Sequence, residues 1–156
     1  MPTLANNRRA SFDYDLLEHY EAGIVLFGHE AKSAKAGHVN LSGAYVSMRP
    51  GPKGPELWLL STHISLYKFA SKLADYDPLR ERKLLLAKRD IERLAGKTRE
   101  KGLTLIPVKM YTKRSFVKLE FALGRGKKKY DKRESIKQKD IERDLRTLTK
   151  RQTLKR

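Results

Sequence analysis

Residues 103–123 read LTLIPVKMYTKRSFVKLEFAL. Two runs rich in β-branched, aromatic and aliphatic residues, 103–112 and 115–123, flank a basic pair, and such runs suit a pleated, half-buried surface. In the second run, alternation sets Phe116, Lys118, Glu120 and Ala122 on one face and Val117, Leu119, Phe121 and Leu123 on the other. One face is core and the other is wet. The pair therefore predicts an antiparallel hairpin. Pro107 lacks the N–H that a ladder needs, so it puts an edge or a bulge in the first arm.

Working outward, AGIVLFG (22–28), GAYVSMR (43–49) and ELWLLST (56–62) read as further strands. The last two are joined by PGPKGP, which predicts a second hairpin with a loose tip. RKLLLA (82–87) fits either the first turn of the helix that follows or a strand, and three consecutive leucines, which would bury on both faces, favour the strand. A helix is expected over 88–101, with Ile91, Leu94, Ala95 and Thr98 on one side and Gly102 to stop it; a shorter one is expected over 29–36, closed by Gly37. Many short strands with few helices predict a mainly β chain with helices, built as a closed antiparallel barrel of oligonucleotide-binding (OB-like) type with flanking helices.

Charge narrows the function. The 156 residues carry 35 Lys+Arg against 18 Asp+Glu, a net charge of +17. Solubility does not require that much, and it implies a polyanionic partner, nucleic acid or an anionic membrane. No run approaches the length of a spanning helix, and MPTLANNRRASF at the N-terminus lacks the apolar core of a signal peptide, so a soluble, cytoplasmic protein is expected. The chain has no cysteine, hence no disulfide framework, thiolate metal site or thiol nucleophile. The four histidines show no paired ligand spacing and read as surface or RNA-facing polar residues. Glu21 and Glu30 read as a satisfied polar contact and a solvated helix face, since no nucleophile or phosphate-cradling glycine loop accompanies them. GRGKKK (124–129) lacks the spacing of a nucleotide-binding loop and reads as cations for a phosphate backbone. No catalytic residue, metal or cofactor is expected.

The excess is unevenly spread. Residues 127–156 hold 13 basic and 5 acidic side chains, a net of +8, which leaves +9 for 1–126. Ile136, Ile141, Leu145 and Leu148 are too few to offset the entropy of ordering thirty residues. Two domains follow, an RNA-binding barrel over 1–126 and a basic tail over 127–156, disordered or partly helical when free. Ser135 with Gln138 reads as a capping box at the start of a tail helix. In the first domain one sign of charge persists through Arg8, Arg9, Lys32, Lys35, Arg80, Arg82, Lys83, Lys113, Arg114 and Lys118. Tyr20, Tyr111 and Tyr130 are candidates for stacking on unpaired bases, with core or rim packing the alternative for the first two.

The blocks NRRA, YEAGIVLFGHEAKS, KAGHVNLSGAYV, RKLLLAKRDIERLAGK, KGLTLIPVKMY and GRGKKKYDKRE, in order over 7–134, resemble the SmpB (small protein B) family of tmRNA-binding proteins. The resemblance implies an OB-type barrel that binds the tRNA-like domain of tmRNA and brings it to bacterial ribosomes stalled without a stop codon. The tail would enter the empty mRNA channel past the decoding centre and fold there as a helix against small-subunit rRNA. One monomeric copy per tmRNA and no membrane are implied. By position, Asn7, Glu21, Leu85 and Lys118 match residues that bind tmRNA, although Leu85 reads equally as core. Arg8, Arg9, Lys32, Lys83, Arg125, Lys127 and Lys128 are added from charge. Tyr130, Asp131, Lys132 and Arg133 match the decoding-centre segment, and Arg143 and Arg146 would lie near phosphates in the channel. Ser65-Leu66, where the family often has proline, and the longer GPKGP tip depart from the pattern. Two other functions fit the composition: a ribosomal barrel protein that binds rRNA without tmRNA, and a nucleic-acid-processing enzyme.

Overall fold

A computed structural model describes residues 2–70 and 75–153, with side chains described to 150. It divides into two units, Met1–Gly126 and Lys127–Arg156. In chain order the first holds β1 (Thr3–Asn6), α1 (Ala10–Asp13), β2 (Tyr14–Ile24), α2 (Gly28–Lys35), β3 (Val39–Asn40) and β4 (Tyr45–Gly51). There follow β5 (Gly54–Leu60), β6 (His63–Ile64), β7 (Arg82–Leu85), α3 (Lys88–Lys97), β8 (Leu103–Lys113) and β9 (Phe116–Gly126); the second unit is α4 (Lys129–Thr153). Among the described residues the protein is thus mainly β with four helices. Seven strands form one antiparallel sheet in the order β1-β8-β4-β5-β7-β2-β9, and β8 pairs with β9 as well. β3 and β6 make a separate two-stranded ribbon.

The 103–123 stretch is the β8–β9 hairpin, paired from Leu103↔Arg125 to Lys113↔Phe116. Its register slips between Pro107 and Lys109, so the proline makes a bulge inside a strand that has neighbours on both sides. Val117, Leu119, Phe121 and Leu123 are buried as the alternation requires, while Phe116 is exposed and Lys118 and Glu120 are half-exposed; Ala122, expected on the wet face, is buried instead. These residues join Leu57, Leu59, Leu84, Leu94, Leu105 and Met110 in one apolar core. At Gly124 a side chain would collide with Ile106, since an added Cβ would lie 2.7 Å from its Cδ1.

Several elements differ from expectation. β2 starts at Tyr14, well before residue 22, and ends at Ile24. It runs along β9 from Tyr14↔Gly126 to Gly23↔Lys118, with Asp15, Leu17, His19 and Glu21 exposed and the residues between them turned inward. The acidic residues on both faces disguised its period. The β4–β5 tip is tight rather than loose, because pairing continues through Pro50↔Pro55 to Gly51↔Gly54. β7 is the predicted strand, but it does not bury all its leucines. It lies between β5 and β2, with Arg82 and Leu84 inward and Leu85 outward. α3 ends at Lys97, where the Thr98 N–H donates to the Leu94 carbonyl, and the chain turns at Gly102 with φ +87. α2 falls where the pattern placed it. β1, α1, β3 and β6 are too short for a periodic signal.

In the second unit, α4 begins at Lys129, with the Lys128 N–H donating to Asp131 Oδ2 at 3.3 Å. Ser135 therefore lies inside the helix instead of capping it. The side chains of 136–150 are exposed all round. The last three tail residues, 154–156, lie outside the described residues.

Candidate nucleic-acid interface

Strand register brings three predicted residues together. Gly23 on β2 is paired with Leu85 of β7 on one side and with Lys118 of β9 on the other. All three are outward positions, and glycine leaves a notch between the two side chains: a Cβ at Gly23 would sit 3.5 Å from Leu85 Cβ and 3.8 Å from Lys118 Nζ. Glu21 is two residues back on the same face of β2, opposite Glu120. Leu85 is 53 % exposed and so is not core. The notch opens into a groove of about 330 Å³, walled by Leu85, Phe116 and Lys118 and flanked by Ala31 and Lys35 of α2.

Acidic groups on this face are already engaged. Glu21 accepts from the Tyr111 hydroxyl and from Lys113 Nζ, 3.1 Å from each carboxylate oxygen. Tyr111 first, then Lys113, hold the Glu21 carboxyl below the usual carboxylate range. Burial, followed by the bond to Glu21, pushes the Tyr111 hydroxyl up. Glu120 meets Lys109 Nζ at 3.0 Å and His19 Nδ1 at 2.9 Å. By contrast, among the described residues neither Lys118 nor Lys35 has an ion-pair partner. Positive charge is therefore left over at the groove, where a phosphate would be stabilised.

Other predicted residues lie apart from the groove or point elsewhere. Asn7 is a structural anchor: its Nδ2 donates to the Pro107 carbonyl at 2.9 Å and its backbone N–H to Val108 O at 2.8 Å, tying the chain to the β8 bulge. Arg8 and Arg9 are exposed just after it, and Arg9 borders a separate recess with Asp13 and Tyr45. Lys83 is held by Glu56 at 2.8 Å. Lys32 lies over the Tyr67 ring, 5.8 Å from its centroid. Arg125 is exposed at the end of β9. In the second unit, Lys128, Tyr130, Asp131, Arg133, Arg143 and Arg146 are exposed, while Lys127 and Lys132 are partly covered.

Two expectations are overturned. Glu30 is fully buried, not on a solvated helix face, and Arg82 is fully buried rather than free to meet phosphate. Arg82 Nη2 lies 2.8 Å from Glu30 Oε1, Arg80 Nη2 lies 2.5 Å from Oε2, and the Phe27 N–H donates to the same carboxylate at 2.9 Å. Arg82 also donates to the Thr62 carbonyl at 2.9 Å, and the Arg80 guanidinium lies 4.1 Å above the Phe27 ring. Burial by itself would raise the Glu30 pKa, but Arg80, the Phe27 amide and Arg82 outweigh it and the carboxyl stays below its ordinary range. This network fastens α2 to β7. The sequence clue was Glu30 at the third position of its helix, a place where a carboxylate can turn back to the helix start. His29 is partly buried and packs edge-on against Tyr76, with centroids 4.7 Å apart. Tyr20 stacks on Phe121 at 5.6 Å and Tyr111 is buried, so both are packing residues. Phe116, which walls the groove, was not singled out from the sequence; its hairpin-end position on the wet face was the available signal.

A mainly β unit with an open, cation-rimmed sheet face, followed by a strongly basic helical unit, belongs to the class of nucleic-acid-binding proteins. The model of the SmpB protein family matches residues 4–151, and the chain belongs to that family. The SsrA-binding protein of Dehalococcoides mccartyi is 48 % identical over 154 residues, covering 99 % of this chain and 87 % of the relative. That of Trichormus variabilis is 46 % identical over 147 residues, covering 94 % and 92 %. Among solved structures, a chain described as "tmRNA-SmpB: a journey to the center of the bacterial ribosome" is 43 % identical, with a TM-score of 0.64 over 85 % of this chain and 93 % of that one.

Proposed function

We propose that the protein binds the tRNA-like domain of tmRNA and delivers it to stalled bacterial ribosomes for trans-translation, acting by binding and not by catalysis. The observation that carries this reading is the convergence of Glu21, Leu85 and Lys118 around the Gly23 notch, from three separate blocks of sequence, on a face whose acids are already neutralised. SsrA-binding relatives and a tmRNA-SmpB structural neighbour support the same partner. Asn7, Arg8, Arg9, Lys32, Lys83 and Arg125 complete the RNA-binding set, Asn7 by anchoring and the cations by phosphate attraction.

The first unit acts as an OB-type closed barrel, a reading supported by the additional pairing of β9, at one end of the sheet order, with β8, next to the other end. The tail, 127–156, is at most partly helical when free and becomes a full helix in the vacant mRNA channel. An isolated helix with no buried side and a large excess of one charge is marginal in water, which supports folding on binding. Lys127 and Lys128 add their charge to the RNA-binding set, Tyr130, Asp131, Lys132 and Arg133 meet the decoding centre, and Arg143 and Arg146 meet phosphates deeper in the channel. The protein works as a cytoplasmic monomer, one copy per tmRNA.

The test is to purify the protein from its native cell through a high-salt wash and sequence the RNA retained. One dominant tRNA-like species is expected. Bulk rRNA without it would replace this reading with that of a ribosomal protein acting without tmRNA.

A further inference from the structure

Phe116 is 70 % exposed at the start of β9 and walls the groove described above. A bare aromatic ring normally finds apolar cover; here it stands beside Lys118 and Lys35, two cations without ion-pair partners among the described residues. Its place is fixed by the hairpin turn. Arg114 and Ser115 both take positive φ, 50 and 68, the conformation that a two-residue hairpin loop requires and that glycine or asparagine adopts more cheaply. The backbone is thus held at some cost in the geometry that sets Ser115 and Phe116 at the groove mouth. Opposite, Leu85 supplies a second apolar wall, and Gly23 keeps the floor open. At about 330 Å³ the groove is of the size that small planar ligands occupy.

We propose that this groove is a base-binding subsite: one unpaired nucleobase of the bound RNA inserts between the Phe116 ring and Leu85 above Gly23, with its flanking phosphates held by Lys118 and Lys35. The apolar walls suit a base, which has a π-face whatever its identity, and the rim cations suit the charged backbone that a protein side chain entering the same groove would lack. This rests on the RNA-binding reading above and places at Phe116 a stacking role for which Tyr20 and Tyr111 were candidates in the sequence.

The experiment uses the full-length protein and a transcript of a tmRNA tRNA-like domain, with affinity measured across a salt series for the parent, Phe116→Ala, Phe116→Trp and Gly23→Leu. A thermal melt of each variant accompanies the binding data. Phe116→Ala is expected to bind about tenfold more weakly with the salt slope of the parent, because stacking is lost and no charge is removed. Phe116→Trp should bind at least as tightly as the parent, and Gly23→Leu, which fills the notch, should bind weakly at an unchanged melting temperature. Parent-like affinity of Phe116→Ala or of Gly23→Leu would overturn the subsite, as would a Phe116→Trp variant as weak as the alanine one. Failure of the parent itself to bind the transcript would instead overturn the proposed function.

Discussion

Lys118 and Glu30 are both charged residues set among strands and helices, yet their surroundings give them opposite tasks. Lys118 faces outward, half-exposed and without an ion-pair partner among the described residues. Lys118→Ala should leave the melting temperature unchanged, weaken binding to the tRNA-like domain, and make log K less dependent on log salt by somewhat under one unit, as loss of one phosphate contact requires. Salt-dependent binding assays with a parallel melt check all three. Glu30 is fully buried with Arg82. Glu30→Ala leaves a guanidinium buried without its carboxylate and should cost about 3–5 kcal/mol in denaturant unfolding. Because the folded-state pKa of Glu30 is depressed, its stabilisation is complete above the ordinary carboxylate range and fades as pH falls through the lower folded value. Unfolding free energy should therefore drop on acidification, and by less in the Glu30→Ala variant. Alternation along one strand was enough to set Lys118 on the outward face, while its assignment to RNA came from the family resemblance. Glu30 and Arg82 are 52 residues apart, and no local pattern states that two charges will meet in the interior.

At the scale of elements, apolar periodicity predicted what it could reach and failed where polarity or length hid it. The β8–β9 hairpin, the Pro107 bulge and α2 were legible because their runs alternate or punctuate cleanly, whereas β7 was reached as a strand but with its leucines wrongly buried on both faces. The first half of β2 was not, since its inward positions include Leu16 and Tyr20 but also Glu18. That glutamate is held by Lys97 of α3 and the Tyr20 hydroxyl, and the latter, by burial and then by this bond, is pushed up to about 12. The groove followed the same division: Leu85 and Lys118 could be named from sequence, but the notch between them depends on the pairing of three strands. The β8–β9 turn offers a test at this scale. Replacing Arg114 and Ser115 with Asn-Gly relieves two positive-φ residues and should raise stability by about 1 kcal/mol, read as a higher melting temperature. An unchanged melt would mean that the turn stores no strain. In the tail, Ile141→Pro keeps the charge and interrupts α4 near its middle. It should impair ribosome rescue while leaving tmRNA affinity at the parent value.

For the whole molecule, the chain divides into Met1–Gly126 and Lys127–Arg156, and the proposed function gives the two units separate tasks that a uniformly basic protein would mix. The apolar core and the converging groove residues belong to the first unit, whereas α4 adds charge and length. Twenty-five helical residues extend about 37 Å at 1.5 Å each, enough to follow a narrow RNA-walled channel with Arg143 and Arg146 beside phosphates. In the proposed function, ordering that segment costs entropy that contacts in the channel would return, and the tail would thereby report whether the channel is empty. Truncation after Lys129 should accordingly leave affinity for the tRNA-like domain nearly intact and abolish peptidyl transfer to alanyl-tmRNA on ribosomes stalled on a truncated message. Replacing Asp131, Lys132 and Arg133 together with alanine removes one acid and two bases, leaving most of the tail's charge. It should also reduce transfer, because position at the decoding centre matters and not charge alone. If transfer and tmRNA binding instead fell together in the truncated protein, the tail would be a general electrostatic contact and the first unit would not be sufficient for RNA recognition. Normal transfer without the tail would show that the ribosome is engaged through the first unit alone.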